Sequence, residues 1–280
     1  MSHDPRSALR AILSGSEAVV PASVFDPISM RLAGDLGFRL GMLAGSTASL
    51  AVLGAPDIVV LTLSEFADIA GRVTRAGAIP LLVDADHGYG NAQNVQRCVF
   101  ELERAGISGM TLEDTDLPNP YASSAPRLIT REEGLGKIRA ALAARRDPGL
   151  VIVGRTSAVS IAGVGEAVAR AQNYQAAGAD ALFFTGVDDL ATLETIRAGT
   201  TLPIILGGSK ITDNQALAER GVRIALRGHQ PIMAAIEAVR ATYIAQRDGT
   251  ALPALVSAGE LAKATREADY KAVAANFLGA

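Results

Sequence analysis

The sequence predicts a single (β/α)₈ barrel, an α/β fold of the TIM type, because three observations agree. Short apolar runs alternate with alanine-rich amphipathic segments, eight such runs occur, and most of them follow a glycine that ends the preceding segment. Strands that alternate with helices pair in parallel, since a tight turn cannot connect parallel neighbours. Eight of them suffice to close a barrel, and 280 residues is an ordinary length for one.

The composition favours one soluble domain. Apolar residues make up 49% of the chain, enough for one large core, and we expect a single domain over residues 1–280 with 250–280 as a C-terminal helical extension. A formal net charge of −3 gives no basic footprint, so we expect neither nucleic acid nor an anionic membrane as a partner. Neither a long apolar span nor a signal peptide is visible, so we expect a cytoplasmic protein.

The elements follow in order along the chain. A short helix is predicted over residues 6–13 and a first strand over 17–22. The other predicted strands cover residues 38–43, 79–83, 107–112, 150–153, 179–184, 202–206 and 222–226. The glycines before them, where we expect left-handed backbone that closes a helix, are Gly37, Gly77, Gly106, Gly149, Gly178, Gly199 and Gly221.

Two other readings of the chain are weaker. An open, doubly wound sheet would fit the same alternation, but no Gly-x-Gly-x-x-Gly follows the first strand and no phosphate-loop motif occurs. The lone Cys98 could be reactive, but it shares a helical stripe with Val95, Val99 and Leu102. We therefore expect a buried, structural thiol.

The C-terminal part is predicted to be helical. The last barrel helix has Pro231 near its start and carries Ile232, Ile236, Val239 and Tyr243 on one face, which is expected to pack on the barrel. Residues 252–261 form a connector and residues 262–278 one further helix. That helix either packs on its own barrel or covers a neighbouring subunit, and the residues leave both open.

The run from residue 84 to residue 91 organises the candidate site. Asp84 and Asp86 follow a buried strand directly and precede His87, Gly88 and a further glycine. Carboxylates at a strand end indicate a hard divalent cation, and Mg²⁺ keeps several waters, so one or two protein carboxylates are enough. The alternative is that both aspartates only cap the following helix or its turn.

Other polar residues also follow predicted strands, at the end of the barrel where active sites lie. They are Asp26, Gly45-Ser46-Thr47, Glu113-Asp114, Arg155-Thr156-Ser157, Thr185-Gly186, Gly207-Gly208 and Gly228-His229. Arg155 suits bidentate binding of a carboxylate, or else forms a structural ion pair with Glu113. His229 could be only a first-turn residue, and Ser46 could bond only within its turn. Together these groups indicate a metal and an anionic, oxygen-rich substrate.

The motifs resemble the isocitrate lyase/phosphoenolpyruvate mutase superfamily. The matching stretches are 25–31, Gly45-Ser46, Pro56-Asp57, 84–91, 112–114 and Arg155-Thr156, and the resemblance runs from about residue 19 to residue 229. It implies a (β/α)₈ barrel that binds Mg²⁺ together with the 2-oxo-acid part of its substrate. It also implies a homotetramer, a dimer of dimers that exchange their last helices, and so favours the swapped position of residues 262–278.

The loop after strand four separates the branches of this superfamily. Its carbon–carbon lyases have a Lys-x-Cys-Gly-His motif there, and residues 115–124 of this chain contain no Cys or His. Its mutases have lysine and asparagine side chains for the phosphoryl group, where this chain has Thr115, Asn119 and Tyr121. The chain is most similar to the oxaloacetate decarboxylase branch, with two departures: Ser157 replaces an asparagine, and Leu206-Gly207-Gly208 lacks a tyrosine.

The resemblance implies a decarboxylase that converts oxaloacetate to pyruvate and CO₂ through a metal-stabilised enolate, with Mg²⁺ as cofactor and Mn²⁺ as the alternative. By this likeness Asp84 binds the metal, and Ser46, Arg155 and His229 contact the substrate. We further expect Asp86 and Glu113 to support the metal directly or through water, Gly45 and Thr47 to help bind the substrate, and Arg155 and His229 to be catalytic. Residues 114–129, with three prolines, would close over the pocket. The alternatives are cleavage of another carbon–carbon or a carbon–phosphorus bond, or a metabolite-binding barrel without catalysis.

Overall fold

The structure is a computed structural model that describes residues 4–77, 79–122 and 125–279. The strands of this part of the chain pair in parallel and in sequence order: β1 (Ala22–Ser23), β2 (Gly41–Leu43), β3 (Leu81–Asp84), β4 (Gly109–Glu113), β5 (Val151–Thr156), β6 (Ala181–Thr185), β7 (Ile204–Gly207) and β8 (Val222–Leu226). Val19, just before β1, pairs with Ile224 of β8, so the first and last strands meet. The predicted (β/α)₈ architecture is confirmed.

The two faces of each strand supply two separate cores. Successive side chains of a strand point to opposite faces. In β5, Val151 and Val153 lie in the cluster inside the barrel, whereas Ile152 packs in the larger cluster between strands and helices. The inner cluster also holds Leu40, Met42, Leu82, Ala181, Phe183, Ile205 and Ile224. This alternation decides which residues at the strand ends face the barrel axis.

The helices surround the strands and one of them closes the barrel. Their bounds are α1 (Pro5–Ser14), α2 (Pro27–Asp35), α3 (Gly45–Leu53), α4 (Leu63–Ala76), α5 (Ala92–Arg104), α6 (Arg131–Ala144), α7 (Ala158–Ala162), α8 (Val164–Ala177), α9 (Leu190–Gly199), α10 (Asn214–Glu219), α11 (Gln230–Asp248), α12 (Ala258–Thr265) and α13 (Glu267–Phe277). Leu9 and Ile12 of α1 enter the inner cluster, so α1 covers the amino-terminal end of the barrel. Cys98 on α5 is buried, as predicted.

The glycines before the strands serve two different purposes. Gly37, Gly106, Gly178 and Gly221 have the predicted left-handed backbone, with φ between 82° and 98°. The prediction is wrong for Gly77, Gly149 and Gly199, since Gly77 has φ −122° and none of the three has a positive φ. A Cβ at Gly77 would lie 2.6 Å from Met30 Cγ, and one at Gly199 would lie 2.5 Å from Val168 Cγ1. These two positions need glycine for space, not for conformation.

The C-terminal helices differ from the prediction. Ile232 of α11 is buried, but Ile236, Val239 and Tyr243 are 52%, 49% and 67% exposed, so most of the face expected to pack on the barrel does not. Residues 262–278 are not one helix, because Arg266 adopts a φ of 60° between α12 and α13. Arg266 also binds both oxygens of Asp35 at 2.7 Å, which ties α12 to α2 of its own barrel.

The described residues of α13 include no buried side chain. Whether the helical extension is exchanged between subunits stays a prediction. No helix in residues 4–77, 79–122 and 125–279 combines the length and the apolar character needed to cross a membrane.

Candidate functional site

The candidate site is a cavity at the carboxyl ends of the strands. The parallel register sets Glu113 beside Arg155, and the strand alternation turns both side chains, with that of Asp84, toward the barrel axis. The cavity has a volume of about 340 Å³. It is lined by Asp57, Val59, Asp84, Asp86, Glu113, Thr115, Leu117, Pro126, Arg155, Ser157, Ser160, Ile161 and Thr185. The predicted metal ligands and Arg155 therefore converge.

Arg155 lies between two of the carboxylates. Its Nη1 donates to Asp84 Oδ2 at 2.5 Å, and its Nη2 lies 3.4 Å from Glu113 Oε2, so the ion pair that the sequence left open is formed. Its Cζ lies 5.3 Å from the centre of the Phe183 ring. Burial opposes the charge of Arg155, but the carboxylates of Asp84 and Glu113 outweigh burial and raise its pKa. Its Nε is buried and has no hydrogen-bond partner among the described residues.

Asp84 and Asp86 do not cap the helix that follows them. The cap of α5 is Asn91, whose side chain accepts from Gln93 N at 2.9 Å. Asp84 Oδ1 accepts from Thr111 Oγ1 at 3.0 Å, while Asp86 has a left-handed φ of 47° that carries its carboxyl into the cavity wall. A positive φ is uncommon for a residue other than glycine, although aspartate adopts it more readily than most.

The cavity holds more carboxyl groups than cationic groups. Burial, then the nearby carboxylates of Asp84 and Glu113, raise the pKa of Asp86 to about 8. Burial also raises the pKa of Glu113, although Arg155 opposes this, and burial raises the pKa of Asp57. Four carboxyl groups thus share one guanidinium, an arrangement that a bound cation would stabilise.

The donor set fits a hard divalent cation. Carboxylate oxygens are the protein ligands that Mg²⁺ prefers, and the cavity offers them from the ends of β3 and β4 and from Asp57. Within the described residues, no three or more Asp, Glu, His or Cys side chains are arranged as a complete ligand group. Mg²⁺ does not require one, because waters and substrate oxygens fill most of its shell.

The predicted turn at Gly45, Ser46 and Thr47 is instead the first turn of α3. Its cap residue, Ala44, provides no side-chain hydrogen bond to the helix start. A Cβ at Gly45 would lie 2.7 Å from Asp86 Oδ1, so Gly45 makes room for that carboxyl group. Thr47 is fully buried and its hydroxyl donates to Ala44 O at 2.9 Å. None of the three lines the acidic cavity.

His229 stands at the start of α11, outside the lining of the acidic cavity. Its Nδ1 is 2.9 Å from Ser23 Oγ, a hydrogen bond that joins the ends of β1 and β8. Burial lowers the pKa of His229, and the carboxylates of Asp84 and Asp57 oppose that shift.

Two residues of the site were not among the predicted ones. Asp57 lines the cavity, and Ser23 holds His229. Asp57 belongs to one of the stretches that match the superfamily, and Ser23 directly follows the predicted first strand. Each of these features is a weak indication that the residue belongs to the site.

Two acids that follow predicted strands have structural roles instead. Asp26 caps α2, accepting from Ser29 N at 2.6 Å. Asp114 points away from the barrel axis and accepts from Arg170 Nη1 at 3.0 Å and Tyr174 Oη at 2.7 Å. Strand alternation explains the second case, because Glu113 and Asp114 must face opposite sides.

The two departures from the decarboxylase branch have different consequences. Ser157 lines the cavity, and its Oγ accepts from Thr185 Oγ1 at 2.9 Å. Leu206 is fully buried in the cluster between strands and helices, so it does not face the site. A Cβ at Gly207 would lie 2.6 Å from the Phe183 ring, so a side chain there would displace the ring beneath Arg155.

The segment after β4 forms part of the cavity wall. Thr115 pairs with Leu128 in an antiparallel bridge, and Asp116 N donates to Arg127 O at 2.8 Å. Leu117 and Pro126 line the cavity. Ser123 and Ser124, which belong to the predicted closing segment, lie outside the described residues.

Known proteins share both this sequence and this fold. The family model described as phosphoenolpyruvate phosphomutase matches residues 9–246. An oxaloacetate decarboxylase of Rhodopseudomonas palustris is 57% identical over 99% of this chain and 98% of its own.

Two solved structures are similar as well. One is oxaloacetate acetylhydrolase in complex with 3,3-difluorooxalacetate, with a TM-score of 0.88 and 27% identity over 98% of this chain and 97% of the other. The other is phosphonopyruvate hydrolase in complex with oxalate and Mg²⁺, with a TM-score of 0.87 and 30% identity over 98% of this chain and 99% of the other. The superfamily predicted from the motifs is confirmed: the chain belongs to the phosphoenolpyruvate phosphomutase family, within the isocitrate lyase/phosphoenolpyruvate mutase superfamily.

Proposed function

We propose that this chain is a magnesium-dependent oxaloacetate decarboxylase that releases pyruvate and CO₂. The observation that carries the proposal is the acidic cavity, in which Asp84, Asp86 and Glu113 lie beside Arg155. The 57% identical relative that bears the name oxaloacetate decarboxylase supports the same activity. Residues 115–129 contain no Cys, His or Lys, which disfavours the carbon–carbon lyase and phosphoryl-transfer alternatives.

The cation would be held by Asp84, with Asp86 and Glu113 as direct or water-mediated ligands. When bound, Mg²⁺ supplies positive charge that offsets the negative charge developing on the substrate oxygens as CO₂ leaves. A neighbouring structure contains Mg²⁺ and oxalate, which supports this choice of metal.

The chain's own residues bind and orient the substrate. Arg155, which lines the cavity, would bind the carboxylate next to the 2-oxo group through its guanidinium. The first amides of α3, at Gly45 and Ser46, have no side-chain cap and, although they lie outside the lining of the acidic cavity, would donate to an anionic oxygen of the substrate. His229, held at Nδ1 by Ser23, presents its Nε2 to orient the distal carboxylate or to relay the proton that completes pyruvate.

The proposed enzyme is a cytoplasmic homotetramer built from helix-swapped dimers. The exposed face of α11 supports this assembly, since Ile236, Val239 and Tyr243 form an apolar stripe that a subunit contact would bury. An apolar groove of about 540 Å³ between α2, β1 and the start of α11 offers room for a helix of a second copy. The free, buried Cys98 agrees with a reducing compartment.

The test is pyruvate release from oxaloacetate with Mg²⁺. We expect metal-dependent turnover, loss of activity with EDTA, competitive inhibition by oxalate, and a drop of at least about 100-fold for Asp84→Asn. Absence of enzyme-dependent pyruvate release with Mg²⁺ or Mn²⁺ would refute the proposal.

A second candidate is hydrolysis of the same acid, favoured by the similarity to oxaloacetate acetylhydrolase at a TM-score of 0.88. One reaction mixture decides between the two activities, because oxalate is the product of oxaloacetate acetylhydrolase. Pyruvate without oxalate supports the decarboxylase, and oxalate without pyruvate supports the hydrolase.

A further inference from the structure

A buried ion-pair cluster lies behind the cavity, on the helix side of β4. Arg170 of α8 is only 4% exposed. Its Nη1 donates to Asp114 Oδ2 at 3.0 Å, its Nη2 donates to Ile129 O at 2.8 Å, and its Nε donates to Glu166 Oε1 at 2.8 Å. One guanidinium therefore joins the residue after β4 to the residue before the cap of α6.

Those two residues are the ends of one segment of the cavity wall. Residues 115–117 and 126–128, which we call the cavity arm, run antiparallel between Asp114 and Ile129. Ile129 N also donates to Asp114 O at 2.9 Å, so both ends of the arm meet at the point that Arg170 holds. The arm contributes Leu117 and Pro126 to the cavity.

The same arm also reaches a predicted metal ligand. Thr115 Oγ1 donates to Glu113 Oε2 at 3.0 Å, so the position of the arm affects the carboxylate that faces the cavity. Glu113 and Asp114 are consecutive, one held inside the barrel and the other fixed outside it. A shift of Asp114 would therefore be transmitted to Glu113 through the backbone.

The packing around this cluster is close. The Tyr174 hydroxyl donates to Asp114 Oδ2 at 2.7 Å. The side chain of Tyr174 packs against two glycines, Gly134 of α6 and Gly154 of β5. A Cβ at Gly134 would lie 2.6 Å from Tyr174 Oη, and one at Gly154 would lie 2.7 Å from Tyr174 Cδ2. Asp114 thus has little freedom to move as long as Arg170 and Tyr174 are in place.

We propose that Arg170 is a positioning residue for the substrate cavity, which it shapes from outside the barrel by holding both ends of the cavity arm. This inference rests on the proposed function, because it concerns the same site. It assigns Arg170 no contact with the substrate.

The test compares Arg170→Lys with Arg145→Lys. Lysine keeps the charge near Asp114 but cannot reach three acceptors at once. Arg145 is the matched control, since it binds Asp180 at 2.6 Å and Leu150 O at 2.8 Å, near the amino-terminal ends of the strands. Each variant is assayed for kcat and KM with oxaloacetate and Mg²⁺, for oxalate affinity, for thermal unfolding, and for the rate of trypsin cleavage after Arg127.

We expect Arg170→Lys to lower kcat/KM by about 10–100-fold, the range typical of residues that orient ligands indirectly. We also expect it to weaken oxalate binding and to accelerate cleavage after Arg127. Arg145→Lys should lower the unfolding temperature without these changes. If Arg170→Lys does not fold, Tyr174→Phe is tested in its place. It removes one hydrogen bond to Asp114, and we expect kcat/KM to fall by about two- to tenfold.

Equal effects of the Arg170 and Arg145 variants on kcat/KM and on cleavage after Arg127 would overturn the inference. Failure of the wild-type protein to release pyruvate would instead refute the proposed function. In that case the cleavage rates and oxalate affinities still decide whether Arg170 holds the arm.

Discussion

Asp86 combines three unusual properties in one residue. It has a left-handed backbone, it is buried, and its pKa is raised to about 8 by burial and by neighbouring carboxylates. Gly45 permits this arrangement, because its missing side chain leaves the space that the Asp86 carboxyl group occupies. A glycine that sequence reasoning assigned to substrate binding therefore has a supporting role for a predicted metal ligand.

We expect Gly45→Ala to weaken Mg²⁺ binding by about 10–100-fold, because the added Cβ would lie 2.7 Å from Asp86 Oδ1 and displace it. Calorimetric titration with Mg²⁺ and oxalate measures the effect. Gly136→Ala on α6 is the control, since nothing lies within 4 Å of the added methyl group. Unchanged affinity in Gly45→Ala would show that Asp86 does not depend on this space.

At the scale of elements, the start of α6 is fixed to α8 by charge. Glu166 of α8 accepts from Arg131 Nε at 3.0 Å and from Arg170 Nε at 2.8 Å. The hydrogen bond from Arg131, and then that from Arg170, lower the pKa of Glu166 to about 2, against the opposing effect of burial. A lowered carboxyl pKa stabilises the fold above the unfolded-state value of about 4.3 and loses this effect as the pH falls toward 2.

We expect Glu166→Gln to lower the free energy of unfolding by about 1–2 kcal/mol at pH 7. The decrease should be smaller near pH 3, because the Glu166 carboxylate of the wild-type protein is then partly protonated and stabilises the fold less. Urea unfolding at both pH values measures the difference. Glu132→Gln is the control, because it alters an exposed acid near the start of α6. It should change the free energy of unfolding little at either pH. A loss in Glu166→Gln that does not depend on pH would contradict the ionic origin of the effect.

For the whole molecule, the surface of α11 predicts association. Its apolar stripe is too exposed for a helix that packs on its own barrel. We expect a homotetramer in solution, and we expect Ile236→Glu to shift it toward smaller species, because burying a charge at a subunit contact is costly. Sedimentation velocity measures the distribution. Ala238→Glu, on the opposite side of α11, is the control, and a monomeric wild-type protein would refute the assembly.

Much of the site could be anticipated because its residues follow strands. The ends of parallel strands meet at one side of a barrel, so the sequence predicts that Asp84, Glu113 and Arg155 lie together, as the structure shows. Asp57 was missed, since it lies in the connection after α3 and follows no strand. His229 was assigned to the same pocket, but it lies outside the cavity lining and is held by Ser23.

The sequence by itself determined the local order: strand and helix periodicity, the glycines between elements, and carboxylates where strands end. These follow from the chemistry of neighbouring residues, and together they specify an eight-stranded barrel of this family. Tertiary structure alone decided three contacts. The missing side chain of Gly45 leaves room for the Asp86 carboxyl group, Arg155 pairs with Asp84, and Arg170 binds both ends of the cavity arm. Those contacts join residues distant in the chain, and their geometry arises only when the barrel closes and fixes the register of its strands.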